Sequence, residues 1–359
     1  MVTGCTDSAD EHSDNEKSRQ EHELRLTMGM PQLQNATRAL PDGFLAYTYN
    51  AKAPINQIVG FMIPIGDNLS PSFDKQVTCH FIYEEGSHVW RTKAYLADGN
   101  YYFYGYMPNV SASSVSVTSP TSSGGNAVIT LTGLNAVMPD DICVIEGVKQ
   151  YSGTTLPDMS DAIGLFGGES GYYNTKIDAD NFYVLASHIY SALGINMKID
   201  KDYAKLRTIK LRSISLTPYD ASDKVAKKID ATITINHRGE NNLVEAIDVT
   251  FTEFSDATTP AVLYGVEGKE LTTTGEEFLA YLCPNLPSTT KYVMETHYDV
   301  YDTEDNLIRE NQSAQNTLTT LPQLTRGTKY TVNITVNPTY LYVLSDPDLD
   351  NPTFKISSP

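Results

Sequence analysis

A chain of 359 residues is too long for one ordinary small core and comfortable as two domains of about 150 residues each. Its 44 acidic against 26 basic residues leave a net charge of −18, a surface that repels phosphate backbones and anionic membranes and argues against nucleic-acid binding. Charged residues are only 19% of the chain, while 23 Tyr stand beside one Trp among many Val, Ile and Thr, which is strand-forming composition. No stretch reaches the roughly 18 to 20 apolar residues of a membrane span.

The chain begins MVTGCTDSADEHSDNEKSRQEHE, and residues 6–35 carry Asp7, Asp10, Glu11, Asp14, Glu16, Glu21 and Glu23 with almost nothing to bury. Such a run reads as a disordered leader, because it cannot offset its own ordering entropy. Strand pattern begins near Ala39. YYFYGYMP at 101–108 is an aromatic strand, and the Ser/Gly-rich TSPTSSGGNA at 118–127 reads as a long hairpin tip leading into AVITLTGL. VLASHIYSALG at 184–194 places Leu185, Ile189, Ala192 and Leu193 at roughly helical spacing before a Gly, so periodicity alone permits one short helix.

In TIKLRSISLT, Ile209 and Leu211 share a phase from which Ile214 and Leu216 have slipped by one residue, and a bulge between them restores the facing. ATITIN at 231–236 and KYVMETHYDVYD at 291–302 alternate, the latter followed by a hairpin turn at Glu304, Asp305 and Asn306. The clearest strand is 330–337, with Tyr330, Val332, Ile334 and Val336 on one face and Thr331, Asn333, Thr335 and Asn337 on the other. Many strands separated by Gly, Pro, Ser and Asn point to an all-β chain of paired sandwiches. The expected division is a leader over 1–38, an amino-terminal sandwich over 39–183 and a carboxy-terminal sandwich over 184–359.

Catalytic chemistry finds little support. There is no G-x-S-x-G, H-E-x-x-H or phosphate-cradling glycine loop. FGGESGYY at 166–173 reads as a surface loop. Cys5, Cys79, Cys143 and Cys283 form no C-x-x-C pair, and no His stands at metal-ligand spacing from any of them. They read as small buried hydrophobes. His80, His88, His188, His237 and His297 fall in or beside strands at no repeated interval, as packed or hydrogen-bonded residues do. Asp346, Asp348 and Asp350 imitate the start of a calcium loop, yet Asn351 and Ser357 stand where Gly and Glu are needed, so the segment reads as a solvated turn. The expectation is a non-enzyme with no cofactor and no metal.

Taken in order, several pieces resemble the fimbrillin family, the subunits of the protease-assembled (type V) pili of anaerobic Gram-negative bacteria. They are the cysteine with its acidic leader, ATRAL at 36–40, YYFYGYMP, DICVIEG at 141–147, SHIYSALGINMKID at 187–200 and LTRGTKYTVNITVNPTYLYV at 324–343. The resemblance spans nearly the whole chain after the leader. It implies two tandem transthyretin-like β-sandwich domains, with strand rather than helix over 187–200. It also implies that Cys5 closes a lipobox, Val2-Thr3-Gly4-Cys5, and receives acyl chains such as palmitate that carry the precursor to the outer membrane. The charged and hydrophobic parts of a signal peptide do not precede Cys5, so either the start has been trimmed or assigned late, which is the favoured reading, or Cys5 is not lipidated. Each buried methylene stabilises attachment by about 0.8 kcal/mol, so two or three chains hold what one does not.

In the family an arginine-specific protease cuts before the first strand, and Arg38-Ala39 is the matching bond. Cleavage there implies loss of the leader and of one strand from the amino-terminal sandwich, which a neighbouring subunit replaces by β-augmentation. Donor and acceptor surfaces differ, so the contact is head-to-tail and grows a filament. The donor candidate is the stretch 340–356, where Tyr340, Tyr342 and Leu344 alternate and Phe354 and Ile356 alternate again after the prolines. The implied product is a stalk or tip subunit of a cell-surface fimbrium, with other fimbrial subunits and a host or bacterial receptor as partners. The alternative is a surface lipoprotein that stacks glycans on its tyrosines without polymerising.

Overall fold

The computed structural model describes residues 21–29, 34–35, 57–65, 75–84, 89–97, 99–107, 114–119, 126–150, 173–177, 181–235, 247–257, 260–264, 268–318, 321, 323–338 and 347–357. Among them the regular elements are strands, apart from 3-10 turns such as Tyr203–Lys205. In chain order these are β1 (Glu21–Gly29), β2 (Gln34–Asn35), β3 (Gln57–Ile65), β4 (Val77–Glu84), β5 (Val89–Ala97) and β6 (Gly99–Met107). Next come β7 (Ser114–Thr118), β8 (Ala127–Leu134), β9 (Val137–Met138), β10 (Cys143–Gln150), β11 (Tyr173–Ile177) and β12 (Asn181–His188). They are followed by β13 (Ser191–Ile199), β14 (Thr208–Tyr219), β15 (Lys227–Ile235), β16 (Ile247–Ala257), β17 (Ala261–Tyr264) and β18 (Lys269–Glu270). The order ends with β19 (Glu276–Leu282), β20 (Lys291–Tyr301), β21 (Leu307–Leu318), β22 (Thr328–Pro338) and β23 (Pro347–Ser357).

Four sheets result. The first runs β10-β12-β1-β5-β4-β3-β6-β11 and closes on itself, because β10 also pairs with β6. Closure leaves few free edges. The second runs β16-β15-β8-β7, the third β2-β22-β13-β19-β9 with β23 also on β22, and the fourth β17-β14-β20-β21 with β18 on β14. One core joins the first two sheets through Ile58, Met62, Phe81, Phe103, Ile129 and Ile233. The other joins the last two through Leu193, Ile195, Leu211, Met294, Val332 and Ile334. Positions 183 and 184 lie inside β12, and the β15–β16 pair, drawn from the second half of the chain, lines the first core beside β8.

Period-two patterning carries through to burial. Along β22, Tyr330, Val332, Ile334 and Val336 are buried and the residues between them half-buried, as expected. β8 alternates in the same way before ending on two buried residues. Thr118 pairs with Val128, so the segment 118–127 does connect antiparallel neighbours. The turn after β20 is held by Asp302, whose carboxylate accepts from the backbone N–H of Glu304 at 2.9 Å and of Asn306 at 2.8 Å, with Asp305 at φ 63°.

Two expectations need correction, and one is upheld. Strand rather than the helix that periodicity permits runs through 184–194, as the resemblance implies over 187–200, in β12 and β13. β13 lies between β22 and β19 and is buried on both faces, and a continuously apolar central strand imitates helical spacing. SDPDLDNP, expected as a solvated turn, contributes the start of β23, with Pro347 opposite Pro338 and Asp348 opposite Asn337. Within the run expected to stay unfolded, residues 21–29 form β1 and 34–35 form β2. His22, Leu24, Leu26 and Met28 share one phase there, against Glu21, Glu23, Arg25 and Thr27, so this part of an acidic leader carries strand patterning.

The bulge expected in TIKLRSISLT is present. The β14–β20 register shifts between Leu211 and Ser213, and Ile209, Leu211, Ile214 and Leu216 are all buried. The extra residue is Arg212. Its Nε donates to Asp299 Oδ1 at 2.8 Å and Oδ2 at 2.9 Å, while the Asn311 N–H donates to the same carboxylate at 2.7 Å. Asp299 is buried, so these bonds satisfy a charge that water does not reach. Asp299→Ala is expected to cost about 2 kcal/mol, read as a lower urea midpoint at unchanged slope.

Candidate functional site

The place of β1 sets the site. It runs antiparallel to β5, with Glu21 opposite Ala97 and Leu26 opposite Trp90, and parallel to β12, with Arg25 opposite Asn181 and Gly29 opposite Leu185. No other described strand joins β5 to β12, so β1 is an interior stave of the closed sheet. Its first half pairs with β5 over Glu21 to Leu26 and its second half with β12 over Arg25 to Gly29, so Arg25 and Leu26 are paired on both flanks. β1 also lies wholly on the amino-terminal side of Arg38.

A second feature is the outer edge of β22, the flank away from β13. β2 occupies its start, parallel, with Gln34 opposite Thr328 and Asn35 opposite Lys329. β23 occupies the rest, antiparallel, with Phe354 opposite Ile334 and Ile356 opposite Val332. The carboxy-terminal tail therefore folds back as the last strand of the third sheet. Of the residues singled out from sequence, Phe354 and Ile356 lie in β23. Cys5, Arg38, Ala39, Tyr340, Tyr342 and Leu344 lie outside the described residues. Sequence reading missed β1 itself, although the alternation from His22 to Met28 was its signal.

Cys79, Cys143 and Cys283 are buried and form no disulfide. Burial pushes the Cys79 and Cys283 thiols up to about 12, far from the thiolate that nucleophilic work requires. Tyr104 is likewise pushed up to about 12 by burial, partly offset by its hydrogen bond with Ser119. Its ring packs 5.2 Å from that of Phe61, and its hydroxyl also meets Gln76. These groups act as packing residues with satisfied polar tips.

No protein-family model matches the sequence, and no curated protein matches it. Among solved structures, a fimbrial protein from Bacteroides vulgatus matches 94% of this chain over 99% of its own, at 12% identity and a TM-score of 0.40. A candidate cell adhesion protein from Bacteroides uniformis matches 94% of this chain over 97% of its own, at 12% identity and a TM-score of 0.39. The fimbrial anchor protein of Porphyromonas gingivalis matches 94% over 97%, at 8% identity and a TM-score of 0.28. Likeness of that depth decides nothing about activity. The chain is similar, along nearly its whole length, to solved fimbrial and cell-adhesion proteins.

Proposed function

We propose that the chain is a structural subunit, stalk or tip, of a cell-surface fimbrium that serves adhesion, and that it assembles when cleavage after Arg38 frees β1 for replacement by a segment of a neighbouring copy. The observation that carries this reading is the interior position of β1, upstream of Arg38 and bonded on both sides. A peptide excised from an edge leaves a sheet intact. One excised from the middle leaves two rows of unpaired backbone groups and an apolar slot of matching length.

β1 has nine residues, and losing it removes roughly ten backbone hydrogen bonds. At about 1 kcal/mol each this is on the order of 10 kcal/mol, comparable to the whole stability of a domain. A trimmed subunit is therefore driven to take up a replacement strand. The proposed donor is the tail that forms β23, which is 11 residues long and leaves the rest of the third sheet in place when it swings out. Cutting at Arg38 also releases β2, which shares the β22 edge with that tail. In the precursor, acyl chains on Cys5 hold the subunit at the outer membrane until processing. The two cores correspond to two tandem transthyretin-like sandwiches, the first completed by the β15–β16 pair.

Treating the full chain with an arginine-specific protease is expected to yield filaments visible by electron microscopy and a ladder resistant to boiling in detergent. Arg38→Ala is expected to stay monomeric under the same treatment. A chain ending at residue 346 is expected to be cleaved normally yet fail to extend filaments. Persistent monomers after clean cleavage at Arg38 would overturn the reading.

A further inference from the structure

Beyond the last partner of β1 on β12, Asp141, Cys143 and His188 converge. The β10–β12 register places Cys143 directly opposite His188, and the Ile189 N–H donates to the Ile142 carbonyl at 2.9 Å, fixing the two chain segments there. His188 Nδ1 lies 3.4 Å from Cys143 Sγ and in hydrogen-bond contact with Asp141 Oδ2. One donor atom from each of the three residues falls within 4.8 Å of the others. Asp141 is 1% exposed, Cys143 0% and His188 7%, so the cluster is sealed inside the first core.

The geometry does not make a nucleophile. A catalytic thiol and its orienting carboxylate meet opposite nitrogens of the histidine ring, one on each side. Here a single nitrogen, Nδ1, faces both groups. Thiol, imidazole and carboxylate instead gather their donor atoms within 4.8 Å of one another, a donor set suited to a metal ion. The other carboxylate oxygen, Asp141 Oδ1, is buried and meets no hydrogen-bond donor of the protein. A buried carboxylate oxygen left unmatched is costly, and a cation beside it removes that cost.

We propose that Asp141, Cys143 and His188 form a structural zinc site that pins the end of β12 to the entry of β10. Sulfur and nitrogen at ordinary zinc bond lengths in a tetrahedron stand about 3.5 Å apart, against 3.4 Å between Cys143 Sγ and His188 Nδ1, while the direct contact between His188 Nδ1 and Asp141 Oδ2 has to open to about 3.3 Å to admit the ion. Thiolate with imidazole favours zinc over calcium or magnesium, which take oxygen ligands. Binding sends the thiol proton to solvent and leaves the imidazole neutral, with Nδ1 bare and its one proton on Nε2. The fourth position is taken by Asp141 Oδ1 or by a water. The burial of all three ligands makes the site structural. Local sequence spacing hides it, since Cys143 and Asp141 stand 45 and 47 residues from His188. The site is independent of the assembly reading.

Full-length protein stripped with a chelator and titrated with Co²⁺ is expected to bind a single equivalent and to show a thiolate-to-cobalt charge-transfer band. Zn²⁺ is expected to displace the cobalt and to raise the melting temperature. Cys143→Ser is expected to lose the band and to bind zinc more weakly by on the order of tenfold or more. Cys5→Ser, Cys79→Ser and Cys283→Ser are expected to keep both properties. X-ray absorption of the unmutated zinc-loaded protein, expected to give one sulfur with nitrogen and oxygen neighbours, tests the ligands without relying on any variant's folding. A band that survives in Cys143→Ser, uptake far below one equivalent, or a zinc shell without sulfur would each sink the proposal.

Discussion

Deleting residues 1–38 is expected to turn a monomer into a polymerising or aggregating species, visible by size-exclusion chromatography with light scattering. Among the described strands β5 and β12 have no common neighbour other than β1, so the shortened chain is expected to fold with a slot through its first sheet. The missing strand accounts for on the order of 10 kcal/mol of backbone pairing, too large a loss for side-chain rearrangement to offset. A synthetic peptide of the sequence EHELRLTMG, spanning Glu21–Gly29, is expected to suppress association when supplied in excess, because it refills the slot in its original register. A scrambled peptide of equal composition lacks the alternation and is expected to do nothing. If the shortened chain stayed monomeric with the melting temperature of the full chain, β1 would be dispensable and the assembly reading would fail.

Gly105→Ala is expected to be among the most destabilising single substitutions, at about 3 kcal/mol, and Gly105→Val worse. Gly105 sits on β6 at the seam that closes the first sheet, opposite Gly60 of β3 on one flank and Ile145 of β10 on the other. A Cβ there stands 2.3 Å from the Val59 carbonyl oxygen and 3.1 Å from Gly60 Cα. Both obstacles are backbone, so relief requires β3 and β6 to separate. Gly60→Ala provides the contrast. Its Cβ meets ring atoms of Phe103 at 2.7 Å, and a ring tilts at lower cost than a strand moves. The expected order by urea denaturation, from lowest midpoint to highest, is Gly105→Val, then Gly105→Ala, then Gly60→Ala.

How far the sequence is legible depends on the kind of strand. β22, β8 and β20 each keep a less buried face along most of their length, and there alternation alone predicted which residues point inward, failing only at the carboxy-terminal ends of β8 and β20. The bulge at Arg212 was readable because the apolar phase slips within a single strand. β13 was not readable by period, since burial on both faces removes the alternation. β1 was obscured differently: its apolar residues are few, and the surrounding acidic run dominated the composition. The Asp141–Cys143–His188 cluster was beyond any local reading, because it is created by pairing β10 with β12.

Composition, charge and period two thus determined an all-β chain with a negative surface, and fixed which face of most strands lies inward, because side chains alternate across a pleated backbone whatever the sheet's neighbours. Strand order is a property of long-range pairing, and no local pattern encodes it. Only the tertiary structure decided that β1 is an interior stave rather than part of an idle leader, that β15 and β16 serve the first core, and that a thiol, an imidazole and a carboxylate meet in one sealed space. Each of these joins segments far apart in the chain, held together by backbone bonds that any sequence of suitable pattern makes equally well.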